Sequence, residues 1–164
     1  MRASGRWRRR SRPASGARAV SAQASVKRVI SLGAADKIAA AAEAEAKRRG
    51  STVVIVVVDD GGYPILLRRL DDTQVASVEV GIGKARTAAI FRRPSKVFED
   101  QVRNGRVAAL ALPGATPLQG GVPLTFEGKV IGAIGVSGNT PQEDEEIALA
   151  GAAVAERALR GTLP

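Results

Sequence analysis

Two cations, Arg69 and Lys84, are the side chains in this sequence best suited to bind a small ligand. Each follows an apolar run, so we expect both to emerge at one end of a sheet. A guanidinium binds a carboxylate through two parallel hydrogen bonds, and an ammonium binds it as a point charge. Both side chains can therefore bind an acidic group. The alternative is structural: Arg69 pairs with Asp71, or Lys84 with an aspartate, and the pair only closes a turn onto the following helix.

The composition excludes several other kinds of chemistry. The chain has no cysteine, which excludes disulfides, zinc–thiolate sites and thiol catalysis. It also has no histidine, the commonest metal ligand and the commonest general base at neutral pH. The segment Gly81–Ala85 lacks the first glycine of a P-loop. The acidic residues at 59–60, 71–72 and 143–146 are typical of turns and helix caps, so no metal site is predicted.

The positive charge is confined to the N-terminal segment. Residues 1–28 hold nine of the 25 Lys and Arg residues and no acid, which accounts for the net charge of +9. They predict a disordered basic tail, followed by one domain over residues 29–164. The neutral domain offers no basic stripe for nucleic acid. No long apolar run follows the arginines, so we expect neither a secretory signal nor membrane association. We therefore expect the protein to be cytoplasmic.

Apolar periodicity and capping residues predict the elements that position these side chains. They are a helix from Ser31 to Gly50, strands at Thr52–Val58 and Tyr63–Arg69, a helix capped by Thr73, a short helix at Ser95–Asn104, a strand at Val107–Leu112, two strands within 122–136, and a final helix capped by Thr140 and Glu143. Two hairpins without a crossover helix favour an antiparallel sheet. The expected fold class is α+β, with a five-stranded, mainly antiparallel sheet flanked by helices.

The last two predicted strands form a hairpin with unusual glycines. Glu127 and Gly128 form the turn, and Gly132, Gly135 and Gly138 interrupt the second strand. Glycine weakens a strand unless another group approaches the backbone closely. A ligand, a neighbouring subunit or a tightly packed helix would each explain the pattern.

Six motifs in order give the chain a resemblance to a known family. They are the Val57–Gly62 strand end, Arg69-Leu70-Asp71, the Lys84–Ala88 helix segment, Gly120-Gly121-Val122-Pro123, the Gly128–Gly138 strand and the acidic helix start at 142–146. Together they cover residues 29–160 and resemble the GlcG/HbpS-like family, often described as haem-degrading. The resemblance implies a profilin-like arrangement and assembly into homo-oligomers. It also implies a ligand pocket formed by Arg69, Asp71, Lys84, Gly120 and Gly121, with haem as the cofactor.

The chain departs from the family pattern at positions that could affect haem binding. Many relatives carry histidine or asparagine where Tyr63 stands, and Asp72-Thr73 replaces the usual Gly-Ala. Without histidine, axial ligation would fall to Tyr63, a threonine, a lysine or Met1. Phenolate is an established haem ligand, so Tyr63 is the named candidate; its alternative role is that of an ordinary strand aromatic. The resemblance predicts a haem- or tetrapyrrole-binding protein that is either non-catalytic or weakly haem-degrading. The alternative is a small enzyme acting by proton transfer on an oxygenated or carboxylate molecule held by Arg69 and Lys84.

Overall fold

The computed structural model describes residues 25–163. Residues 1–24 of the predicted tail therefore lie outside the described residues. The predicted tail boundary at residue 28 stays a prediction. Within the described range, no helix is long and apolar enough to cross a membrane. The elements in chain order are α1 (Leu32–Arg49), β1 (Val54–Asp59), β2 (Pro64–Arg69), α2 (Ser77–Ile90), α3 (Lys96–Arg103), a 3-10 helix (Val107–Ala111), β3 (Gly121–Phe126), β4 (Lys129–Ser137), α4 (Pro141–Ala153) and α5 (Ala155–Leu159).

In the described part of the chain, the sheet has four strands in the order β2-β1-β4-β3, and every neighbouring pair is antiparallel. The α+β class is confirmed, but the prediction of five strands is wrong. The segment predicted as a strand at Val107–Leu112 instead forms the 3-10 helix, in which the amide of Ala109 donates to the carbonyl of Arg106. Alanine, which dominates this segment, has low strand propensity. The profilin-like arrangement stays a prediction.

Helices cover the two faces of the sheet unequally. Val53, Ile55 and Val57 on one face pack with α1, α4 and α5, while Val54, Val56 and Val58 on the other pack with α2. All six side chains are fully buried. The continuous apolar run in the sequence is explained by this burial on both faces.

Capping residues mark both ends of α1 and the start of α4 as expected. Ser31 accepts a hydrogen bond from the amide of Ala34, and Gly50 ends α1 in the left-handed conformation. Thr140 and Glu143 form a capping box at α4. The predicted cap at Thr73 is wrong: its hydroxyl donates to the carbonyl of Leu70, and α2 begins only at Ser77.

The alanine-rich faces of α1 and α4 pack against each other within one chain. Gly151 permits their close approach, because an added Cβ there would lie 3.0 Å from the carbonyl oxygen of Ile38 and 3.2 Å from the Cβ of Ala42. Ala39, Ala42 and Ala148 are fully buried in the same cluster. Intramolecular packing therefore accounts for small residues that a subunit interface would otherwise explain.

Candidate ligand-binding site

Lys84 lies in the protein interior, where it forms a salt bridge with Asp144. The two side chains are 5 % and 1 % exposed, and the ammonium nitrogen is 2.6 Å from the Asp144 carboxylate. Lys84 also donates to the carbonyl of Val136, 3.1 Å away, and Asp144 accepts from the amide of Asn139. The pair connects α2, the end of β4 and the first turn of α4.

Burial dominates the electrostatics of this pair. Removal from water raises the pKa of the Asp144 carboxyl, and the hydrogen bond from Lys84 opposes that rise. Charges buried in this way add little net stability compared with apolar side chains of similar size. Losing one partner is nevertheless expensive, because it leaves an uncompensated charge in the interior.

Gly120 and Gly121 make room for this pair and for α2. Gly120 has a φ of 124°, and an added Cβ would lie 3.0 Å from the Lys84 ammonium and 2.8 Å from the carbonyl oxygen of Val136. An added Cβ at Gly121 would overlap the carbonyl group of Lys84. Both glycines are therefore in close packing contacts. The family resemblance had assigned them to a ligand pocket.

Arg69 and Asp71 lie elsewhere, on the surface at the end of β2. The Arg69 guanidinium donates to the carbonyl of Thr73, 2.9 Å away. Both residues line an open groove of about 500 Å³ beside Glu43 and Lys47 of α1, and Lys84 is not among the described residues that line it. Strand β1 separates β2 from β4, so the backbones of those two strands are about 10 Å apart. The structure therefore gives Arg69 and Lys84 different surroundings, one exposed and one buried, and their shared pocket stays a prediction.

A tight turn between β1 and β2 holds Tyr63. One carboxylate oxygen of Asp59 accepts hydrogen bonds of 2.9 Å from the amides of Gly61 and Tyr63. The amide of Asp59 in turn donates to the carbonyl of Tyr63. These bonds fix the backbone, while the Tyr63 side chain remains 65 % exposed.

Arg86 of α2 extends across this turn and over the Tyr63 ring. Its guanidinium carbon lies 5.7 Å from the ring centroid, and its Nε is 3.4 Å from the carbonyl oxygen of Gly62. Gly62 has a φ of 82°, and an added Cβ would lie 2.7 Å from the Cγ of Arg86. Among residues 25–163, no carboxylate lies within salt-bridge distance of this guanidinium. The sequence interpretation missed Arg86; the paired glycines of the turn were the signal for a close approach.

Among residues 25–163, strand β2 is largely exposed on the side where α2 packs. Leu67 and Arg69 are paired with Val56 and Val54 of β1 and so share the α2 side of the sheet. Helix α2 packs against β1, β4 and β3. Leu67 consequently remains 38 % exposed although its neighbour Val56 is fully buried. We call the surface formed by Tyr63, Leu67, Arg69 and the adjacent Arg86 the β2 face.

A larger groove of about 870 Å³ lies at the β3–β4 turn. Ion pairs between Lys27 and Asp60 and between Arg28 and Glu127 form across or beside it. These contacts occupy four of its charged side chains. In the described part of the chain, no group of three acidic side chains is arranged to hold a metal ion.

The four-stranded sheet with its covering helices defines a class of proteins for which solved structures exist. HbpS superposes with a TM-score of 0.75 at 32 % identity, over 80 % of this chain and 94 % of HbpS. A structure described as a PduOC:haem complex superposes with a TM-score of 0.70 at 25 % identity, over 77 % of this chain and 94 % of PduOC. The α+β architecture is therefore shared with both proteins.

Sequence comparison gives the family itself. Residues 30–153 match the family model described as haem degrading protein HbpS-like. Protein GlcG of Escherichia coli strain K12 is 44 % identical over 109 residues, which are 66 % of this chain and 81 % of GlcG. The chain belongs to the HbpS-like family, and the resemblance based on the six motifs is confirmed.

Proposed function

We propose that this protein binds haem or a related tetrapyrrole on the β2 face. Family membership and the haem complex of PduOC support haem-related binding. The observation that carries the proposal is that Leu67 and Arg69 share the exposed α2 side of β2, with Tyr63 exposed at the turn before that strand. Together they offer an apolar contact, a cation and a phenol.

The side chains of the β2 face suit the parts of a haem molecule. Leu67 offers apolar contact to the macrocycle. Arg69 offers a guanidinium for a propionate, since its described hydrogen bond goes to a backbone carbonyl and it has no described ion pair. Tyr63 offers a phenol oxygen to the iron in a chain that has neither histidine nor cysteine. When bound, haem would supply one-electron and oxygen chemistry that the amino acids themselves lack.

Lys84 has a different role in this proposal. The alternative function, proton transfer on a carboxylate held jointly by Arg69 and Lys84, needs both cations on one ligand. The ammonium of Lys84 already contacts Asp144 in the interior. We therefore favour tetrapyrrole binding and assign Lys84 to the fold.

Titration with ferric haem tests the proposal. We expect a defined Soret band that saturates at one haem per chain. Leu67→Asp should weaken affinity at least about tenfold, because a charge would replace apolar contact. Leu149→Asp is the matched control, since Leu149 is an exposed leucine on α4, 50 % accessible. A spectrum without saturable binding, or equal affinity in both variants, would contradict the proposal. Loss of the band with release of iron under a reductant and oxygen would add haem degradation to the function.

Homo-oligomerisation is the second part of the proposal. Its support is the family resemblance, since the alanines of α1 and α4 contact each other within one chain. Light scattering at about 50 μM should return a mass above that of the monomer if the interface has the standard size. Monomer mass alone would remove this part and leave the haem proposal standing.

A further inference from the structure

We infer that Tyr63 is the axial ligand to haem iron and that Arg86 is its positioning residue, so that the protein binds ferric haem in preference to ferrous haem. The inference rests on the proposed function and adds a redox dependence to it. Two features of the β2 face support it: the backbone that carries the phenol is held by a constrained turn, and an arginine without a described carboxylate partner extends over the ring.

The turn fixes the position from which the Tyr63 side chain leaves the backbone. Asp59 accepts from two amides in the turn, and its own amide donates to the carbonyl of Tyr63. A ligand on a constrained backbone loses little further freedom on binding. Tyr63 as a residue remains exposed to solvent.

The turn also makes room for Arg86. Any side chain at position 62 would displace the Arg86 stem, because the space for a Cβ there is already taken by the Cγ of Arg86. The guanidinium lies over the Tyr63 ring. The other charged groups around the turn are Asp59, whose Oδ1 accepts backbone hydrogen bonds, and Asp60, which pairs with Lys27. Arg86 thus supplies a positive charge that neither of these carboxylates contacts.

This arrangement favours one oxidation state of iron. On binding, the O–H bond of Tyr63 breaks, its proton passes to water, and the phenolate oxygen forms a bond to ferric iron without any change in oxidation state. Arg86, whose guanidinium carbon lies 5.7 Å from the ring centroid, stabilises the phenolate by its charge. The attraction between phenolate and iron falls when iron gains an electron from an external one-electron reductant, because the iron then carries one positive charge fewer. The axial ligand is a principal determinant of haem redox properties.

The test compares ferric and ferrous haem binding in four variants. Tyr63→Phe removes only the hydroxyl, Arg86→Ala removes the charge, and Arg86→Lys restores charge without the planar group. Arg93→Ala is the matched control, because Arg93 is an exposed arginine that also lies over an aromatic ring, 5.9 Å from the centroid of Phe98. The measurements are affinity for each oxidation state, with dithionite as reductant, and the resonance Raman bands of iron-bound phenolate. A melting curve for each variant identifies any that fail to fold.

We expect the wild-type protein to show phenolate bands and to bind ferric haem at least about tenfold more tightly than ferrous haem. Tyr63→Phe should lose the bands and the preference. Arg86→Ala should reduce the preference, Arg86→Lys should recover part of it, and Arg93→Ala should change neither. A Tyr63→Phe protein that keeps the wild-type spectrum and preference would overturn the inference while haem binding itself stood. If the wild-type protein bound no haem, the proposed function would fail first, and the inference with it.

Discussion

Lys84 and Arg69 are both cations that the sequence marks for ligand binding, yet they lie in opposite environments. Lys84 is buried between α2, β4 and α4 against Asp144. Arg69 lies on the exposed β2 face, and its described hydrogen bond goes to a backbone carbonyl. The buried cation has an anionic partner within the chain, and the exposed one has no described carboxylate partner.

The difference shows how to separate cations that serve the fold from cations that can serve a ligand. A buried ammonium needs a partner before any ligand arrives, because an unpaired charge in the interior costs several kcal/mol. An exposed guanidinium is solvated and needs no such partner. Lys84 and Arg69 are both cations that follow apolar runs, so these sequence features do not distinguish their roles. Burial and the presence of an ion-pair partner do.

The largest effect should come from breaking the buried pair. Lys84→Met leaves the Asp144 carboxylate without its partner and should lower the free energy of unfolding by about 3–5 kcal/mol. The double variant Lys84→Met/Asp144→Leu removes both charges and should recover most of that loss. Urea denaturation of the two variants and the wild type measures the effect. Equal destabilisation in the single and double variants would show that packing, rather than charge, governs this region.

A smaller effect should come from the glycine beside the pair. Gly120→Ala places a methyl group at a φ of 124°, close to the Lys84 ammonium and the Val136 carbonyl oxygen. Backbone strain of this kind costs on the order of 1–3 kcal/mol. Gly33→Ala in α1 is the control, since an added Cβ there meets nothing within 4 Å, and it should stabilise by about 0.5–1 kcal/mol. Thermal melts of both proteins test this, and similar behaviour at the two sites would refute the close packing described for Gly120.

The smallest effect should come from exposed charges at the end of α1. Hydrogen bonds from Arg48 and then Arg49 lower the pKa of Glu45 to about 2. Because the folded-state pKa is depressed, the stabilisation is present above the ordinary value of 4.5 and is lost as pH falls toward about 2. We expect Glu45→Gln to reduce the loss of thermal stability over that window, and to do so only slightly, since this ion pair is exposed to solvent. Melting curves at about pH 5 and about pH 2 measure it; an unchanged pH profile in Glu45→Gln would exclude the contribution.

Local signals in the sequence predicted much of the fold. Ser31, Thr140 and Glu143 identified helix starts because a cap acts within three residues. The continuous apolar run of β1 predicted burial on both faces. The 3-10 helix at Val107–Ala111 was missed because a short apolar run has no decisive period. The late start of α2 was missed because a threonine can also bond within the preceding turn.

The candidate site was harder to predict because its contacts connect distant parts of the chain. Asp144 is 60 residues from Lys84, and the sequence assigned it only to the first turn of a helix. Arg86 and Tyr63 meet because α2 packs beside the turn after β1, which no local pattern reports. The family motifs placed Arg69, Lys84 and Gly120 in order along the chain. They did not reveal which of the three would face solvent.

The most direct test of the account is ferric-haem affinity measured on two folded variants. Arg69→Ala alters the β2 face, whereas Lys84→Met/Asp144→Leu removes the buried pair without leaving a lone charge. We expect Arg69→Ala to weaken binding by roughly 1.5–3 kcal/mol, the range for hydrogen bonds to charged groups, and to change stability by about 1 kcal/mol or less. The double variant should keep wild-type affinity. The opposite pattern, with affinity retained in Arg69→Ala and lost in the double variant, would contradict the assignment of the β2 face to the ligand and of Lys84 to the fold.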